Sequence, residues 1–222
     1  MIPPEQNARF VWRMEAVLDL YEEPYDPLRP VVCFDAPRPC QLLSEVRNPL
    51  PMRVGRPRRV DSEYERKGMA HVLMVFEPLK GWREVEVTGR RRGKEFALAM
   101  RHLAEEVYPD AKKIRLVLDN LNTHSPSAFY ETFWPELARS LAKRIEFVYT
   151  PVHGSWLNMV EVELSVLVRQ CLKRRVPDTE TLGREVEAWC EERNHLGASV
   201  EWRFRTEDAR TKLRKLYPSI KP

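Results

Sequence analysis

Apolar positions recur along the chain with two periods, three-to-four and two, and the segments they mark predict the elements. Over residues 4–22, Phe10, Met14, Val17 and Leu18 fall at helical spacing behind Pro3-Pro4, which predicts a helix. Pro24 to Pro30 breaks that period. Val31-Val32-Cys33-Phe34 then forms an unbroken apolar run closed by Asp35, the mark of a buried strand. Gln41 to Val46 reads as its hairpin partner, and residues 47–68, with no apolar period, read as a long loop. Residues 69–77 and 82–88 read as strands around a Pro78-to-Gly81 turn. A helix is predicted at 93–107, with Phe96, Met100, Leu103 and Val107 on one face, and the clearest central strand at Lys113 to Asp119. Then follow a helix at 126–143 interrupted by Pro135, a strand at Ile145 to Tyr149, and helices at 157–174, 179–194 and 207–216.

Antiparallel strands first and α/β alternation afterwards predict a mixed sheet with helices on both faces. In such sheets, polar residues where strands end and helices begin are the usual seat of chemistry. The expected division is a linker helix over 1–29, a catalytic domain over 30–175 and a helical extension over 176–222.

Composition narrows the class only moderately. A chain of 222 residues suits one compact domain with appendages. With 43% hydrophobic and 32% charged residues it is neither fibrous nor wholly disordered. No apolar run approaches the ~20 residues of a membrane span, and the first residues lack a signal-peptide pattern. The expected setting is intracellular. Cys33, Cys40, Cys171 and Cys190 form no C-x-x-C pair and read as free thiols in a reducing compartment, so a zinc site is not expected.

Net charge is only +4, but its distribution is uneven. Residues 53–59 carry Arg53, Arg56, Arg58 and Arg59, with Arg66 and Lys67 downstream, and Arg90, Arg91, Arg92 and Lys94 form a second cluster. Solvated loops explain such clusters equally well, and Asp61, Glu63 and Glu65 lie close by. Arginine on a backbone stiffened by proline and glycine also suits phosphate contacts. Trp134 and Trp156 are candidates to stack on bases, whereas Trp82, Trp189 and Trp202 read equally well as core.

The acidic residues carry more information. Asp35 and Asp119 each close an apolar strand, and each alone is more often a cap or turn opener than a ligand. If their strands are parallel neighbours, the two come together. On the helix predicted at 157–174, Leu157, Val160, Leu164, Leu167 and Cys171 form an apolar stripe. Glu161 falls at its border with Asn158 and Ser165 beside it, and Glu163 falls near the opposite side, as a solvated charge would. Three carboxylates suit magnesium, and two Mg²⁺ ions support phosphodiester cleavage. The phosphate-binding, zinc-protease and serine-hydrolase motifs are missing; Ser155 stands near His153 without an elbow motif.

VLDNLNTH at 117–124, followed by TPVHGSWLNMVEVELSVLVRQCL at 150–172, resembles the mariner-related DDE transposases of bacterial insertion sequences. The likeness runs from about residue 5 to the end. It aligns Asp35 with the first acid, Asp119 with the D-N-x-x-x-H aspartate and Glu161 with the L-N-x-x-E glutamate. It implies a ribonuclease H-like fold, two Mg²⁺ (or Mn²⁺) ions on those acids, and Asn120, His124 and Asn158 in support. It also implies double-stranded DNA as substrate, insertion at TA steps, and an active homodimer. Two departures stand out: Ala36 follows the first aspartate where the family commonly has glutamate, and no helix-turn-helix module fits before residue 30. A separately encoded helix-turn-helix portion would supply the latter. Two other readings stay open: a remnant that only binds DNA or pairs with full-length transposase, and a ribonuclease H-like nuclease.

Overall fold

The computed structural model describes residues 7–37 and 39–219. Its elements, in chain order, are α1 (Ala8–Glu22), β1 (Val31–Asp35), β2 (Cys40–Glu45), β3 (Tyr64–Glu77), β4 (Trp82–Thr88), α2 (Gly93–His102), β5 (Ile114–Leu118), α3 (Ser127–Thr132), α4 (Pro135–Arg144), β6 (Ile145–Tyr149), α5 (Val160–Gln170), α6 (Thr179–His195) and α7 (Thr206–Lys212). Residues 4–6 of the expected first helix, with the Pro3-Pro4 start, and Arg38 of the Pro37–Cys40 stretch lie outside the described residues.

Strands run in the order β2-β3-β1-β5-β6, with β4 paired to β3. β1 is antiparallel to β3 (Cys33 opposite Phe76) and parallel to β5 (Cys33 opposite Val117), and β5 is parallel to β6. Strands covered by helices on both faces must be apolar on both, which is why β1 and β5 read as solid hydrophobic runs.

Alternation of side chains along a strand sorts them onto the two faces. Val32, Phe34, Leu116 and Leu118 join a cluster with Phe96, Met100, Phe129 and Leu141 of α2, α3 and α4. Cys33 and Val117 face the other way, into a cluster with Met14 and Leu18 of α1, Leu164 and Leu167 of α5, Val186 of α6 and Ala209 of α7. Asp35 shares the parity of Cys33, and Asp119 that of Val117. Asp35 is therefore directed to the side that α5 covers, while Asp119, just past the end of β5, meets His124.

Several expectations need correction. The Gln41–Val46 segment is a strand, but it pairs with β3 (Gln41 opposite Met69) rather than with β1. Both edges of β1 are already taken by β3 and β5, so no edge is left for a hairpin partner. The supposed loop at 47–68 is shorter, because β3 starts at Tyr64. Its outer half is exposed on both faces and is held to β2 by main-chain bonds, so it needs no apolar alternation. The helix expected at 157–174 is a short turn at Ser155–Leu157, an extended Asn158, and then α5. The predicted 93–107 helix ends as α2 at His102 and continues as a wider π-type turn to Val107. At 126–143, Trp134 becomes the cap of α4 with Pro135 in its first turn, where a missing N–H costs nothing.

Glu163 is the largest surprise. It is fully buried, with Arg83 Nε of β4 3.0 Å from its carboxylate and Arg193 of α6 donating at 2.7 and 3.0 Å. The far side of α5 is roofed by α6 and β4, so the flank read as solvated is interior. Arg83 also donates to the Ala198 carbonyl, while Asn194 exchanges side-chain and main-chain bonds with Arg83.

Removing one member of a buried ion pair leaves its partners uncompensated, which costs about 3–5 kcal/mol. Glu163→Ala should therefore lower the urea unfolding free energy by about that amount. Glu161→Gln, on the same helix, should leave stability unchanged or slightly raised, because it removes a like charge from beside Asp35. Parallel urea titrations of the two variants check the contrast.

Candidate active site

The candidate site forms at the carboxyl ends of β1, β5 and β6. The β1–β5 register, continued two residues past Cys33 and Val117, sets Asp35 beside Asp119. On the other side Leu118 is opposite Tyr149, so Thr150 follows next to Asp119, and its N–H donates to the Leu118 carbonyl at 2.9 Å. Glu161 enters from the first turn of α5.

Asp35 is 8% exposed and accepts from the Ala36 N–H at 2.7 Å. Glu161 lies within hydrogen-bonding reach of it, and Asp119 is close enough for its charge to be felt. Burial first, then the Glu161 charge and then the Asp119 charge push the Asp35 carboxyl up to about 7, against a weaker opposing pull from the Ala36 amide.

The other candidate residues form the frame. His124, 1% exposed, meets Asp119 through Nδ1 at 2.7 Å and is wedged edge-on to the Phe34 ring and tilted against Phe96. Tyr149 donates to the His124 carbonyl at 3.0 Å, so the Asp119 loop is pinned at its far end as well. Asn120 donates to the Thr150 carbonyl and accepts from Arg13 of α1. Asn158 donates to the Phe34 carbonyl at 2.9 Å, tying the end of β1 to the entry of α5, while its Oδ1 is buried without a partner.

Three contributors were not evident in the sequence. Arg13 is one. Tyr21 is another: it donates to the Leu157 carbonyl at 2.9 Å, just ahead of Asn158. Thr150 contributes its main chain. A helix of ordinary amphipathic pattern carries no mark of such long-range reach.

The basic candidates are found in different states. Arg53 and Arg56 close a tight turn through their main chains, and Leu50 bridges Arg59. All four arginines of 53–59 are exposed. Arg66 and Lys67 are exposed on outer β3, Lys67 pairing with Glu65 at 2.7 Å. Arg90 and Lys94 are exposed, and Arg92 opens α2 with its N–H on Glu95 at 2.9 Å. Arg91 instead turns back onto the carbonyls of Ala36 and Pro37, clamping the turn after Asp35. Ala36 itself is 1% exposed within the α2–α4 cluster, where a methyl group fits. Trp134 is exposed, whereas Trp156 packs on Trp202 and Phe204.

Among the described residues, no three acidic, histidine or cysteine side chains are drawn round one point as a metal's ligands are. Their contacts run pairwise, Asp35 with Glu161 and Asp119 with His124. The donor set nevertheless fits a hard divalent cation. It offers carboxylate oxygens whose mutual repulsion a cation relieves, and Asn158 adds a buried oxygen without a partner.

The profile of a family described as DDE superfamily endonuclease matches residues 30–183. The chain belongs to the DDE superfamily endonucleases. Among solved structures, the Mos1 mariner paired-end complex with Mn is similar at 16% identity and TM-score 0.56, covering 89% of this chain and 61% of that one. The Mos1 paired-end complex with Mg is similar at 14% identity and TM-score 0.60, covering 99% and 66%. The Mos1 strand transfer complex is similar at 14% identity and TM-score 0.59, covering 89% and 60%. These likenesses establish the ribonuclease H-like fold of this DDE endonuclease domain. The chain spans about three-fifths of the length of the Mos1 chains it matches. Comparison with the curated proteins finds no match. No helix among the described residues is long and apolar enough to cross a membrane.

Because the folded Asp35 carboxyl lies near 7 against an ordinary 3.8, the metal-free native protein holds this proton more tightly than the unfolded chain. The resulting stability is fully present below the ordinary value and is lost as pH rises through 7. Melting temperatures in EDTA should fall across that window for the wild type. Asp35→Asn should remove this part of the fall, and added Mg²⁺ should restore stability at its upper end.

Proposed function

We propose that this domain is the catalytic part of a DNA transposase, cleaving strands at element ends and joining the freed 3′-hydroxyl to target DNA. The observation that carries the reading is the crowding at one sheet edge: Glu161 in hydrogen-bonding reach of Asp35, with the Asp119 charge beside them. Uncompensated negative charge has no structural use there, and it suits a site that receives cations and then a phosphodiester.

Asp35, Asp119 and Glu161 would hold two divalent ions, Mg²⁺ or Mn²⁺. Such ions neutralise phosphate charge and activate the attacking oxygen. The chain's own residues keep the geometry. His124 fixes the Asp119 carboxylate, Asn158 holds the entry of α5 against β1, and Arg91 holds the turn that follows Asp35. Preorganisation of this kind places the acids before substrate arrives.

Double-stranded DNA is the substrate in this reading. The similar Mos1 structures, a paired-end complex and a strand transfer complex, support it. An active homodimer, insertion at TA steps and a separately encoded helix-turn-helix portion belong to the same proposal.

The purified chain should nick supercoiled plasmid slowly in Mg²⁺ or Mn²⁺, with little sequence preference. Asp119→Asn, which keeps shape but removes the charge, should abolish nicking. Equal nicking by wild type and variant would signal a contaminant and sink the assignment. Separately, Arg56→Ala, Arg58→Ala and Arg59→Ala should each flatten the log–log salt dependence of duplex binding by about 0.9 per lost phosphate contact. An unchanged slope would make that loop an ordinary surface.

A further inference from the structure

A cleft of about 190 Å³ lies beside the carboxylate edge, between α1 and the segment that follows β6. Asn7, Arg9, Phe10, Arg13, Pro151 and Val152 line it, so its charge is positive and no carboxylate borders it. Arg9 and Arg13 are one helical repeat apart and share a face of α1. Arg9 is exposed, and no carboxylate pairs with it among the described residues. Arg13 uses part of its guanidinium on Asn120, the neighbour of Asp119, and the planar fork has further N–H groups to offer.

The opposite wall is held in shape from within. His153 takes a left-handed backbone (φ 65°), and the Gly154 N–H closes onto the Pro151 carbonyl at 2.8 Å. A Cβ at Gly154 would sit 2.4 Å from the Pro151 ring, so only glycine permits the closure. Backbone strain of this sort gathers where a site must be shaped. The turn leaves Val152 58% exposed at the cleft, one face apolar and the other basic.

We propose that this cleft seats the sugar–phosphate backbone of the DNA strand next to the cleavage point, with Arg9 and Arg13 on phosphates and Pro151 and Val152 against sugar. The inference rests on the DNA-endonuclease reading and deepens it, by assigning the path of the strand on the β6 side of the acids. Because Arg13 also grips Asn120, strand binding there is tied to the position of the Asp119 loop.

The test compares Arg9→Ala, Arg13→Ala and Arg13→Lys with Arg139→Ala, an exposed arginine on α4 across the sheet. Binding of a fluorescent duplex is followed by anisotropy over a salt series in EDTA, and nicking by single-turnover kinetics in Mg²⁺. Arg9→Ala should flatten the log–log slope by about 0.9 and raise the half-saturating DNA several-fold, with the saturated rate unchanged. Arg13→Ala should do both and also lower the saturated rate; Arg13→Lys should keep the slope but not the rate. Melting curves confirm that each variant folds. An Arg9→Ala slope equal to wild type, or an equal loss in Arg139→Ala, overturns the inference, as does a wild type that binds no DNA. If the Arg9 dependence of binding appears but nothing nicks, the cleft stands as a seat for DNA backbone and the endonuclease reading fails. If the wild type nicks while the cleft variants bind normally, the reverse holds.

Discussion

Like charges brought together in a partly dry place repel, and the rest of the structure is arranged around holding them there. Asp35 and Asp119 come from adjacent parallel strands at matched register, and Glu161 from the helix that covers that face. None of the three positions is stable by its own local preference. Each is kept by a second contact: the Phe34 carbonyl bound by Asn158, the Asp119 carboxylate bound by His124, the Leu157 carbonyl bound by Tyr21. Repulsion stored in this way is relieved by a cation, which is why the frame has to be rigid before any cation arrives.

The same logic explains the weight placed on the C-terminal helices. α5 brings Glu161 forward only if its back is fixed, and the back is fixed by Glu163 between two arginines from β4 and α6. A buried carboxylate two residues from a candidate ligand serves here as an anchor. The first helix does comparable work from the other side, since α1 reaches Asn120 through Arg13 and Leu157 through Tyr21.

What the sequence disclosed, and what it concealed, follows from which forces leave a periodic trace. Burial leaves one: β1, β4 and β6 fall where apolar patterning places them, and β5 within a residue at each end. Main-chain pairing does not, so outer β3 passed for loop and β2 was given the wrong neighbour. The acids were legible because each ends an apolar run or borders an apolar stripe. The burial of Glu163 was not, because a second helix supplies the roof from residues at least sixteen positions farther along the chain. Arg91 looked like one more basic surface residue, and its hold on the Ala36 carbonyl depends on a turn 55 residues away.

The ribbon of β2 and outer β3 has a consequence of its own. Main-chain pairing sets its register and the side chains of outer β3 are exposed, while Leu42 of β2 anchors the ribbon in the core. Selection on that surface is thus largely decoupled from selection for folding. Outer β3 and the arginine turn it carries can accept substitutions at little cost to the fold, while the carboxylate edge, cross-tied through Asn158, His124 and Tyr21, cannot.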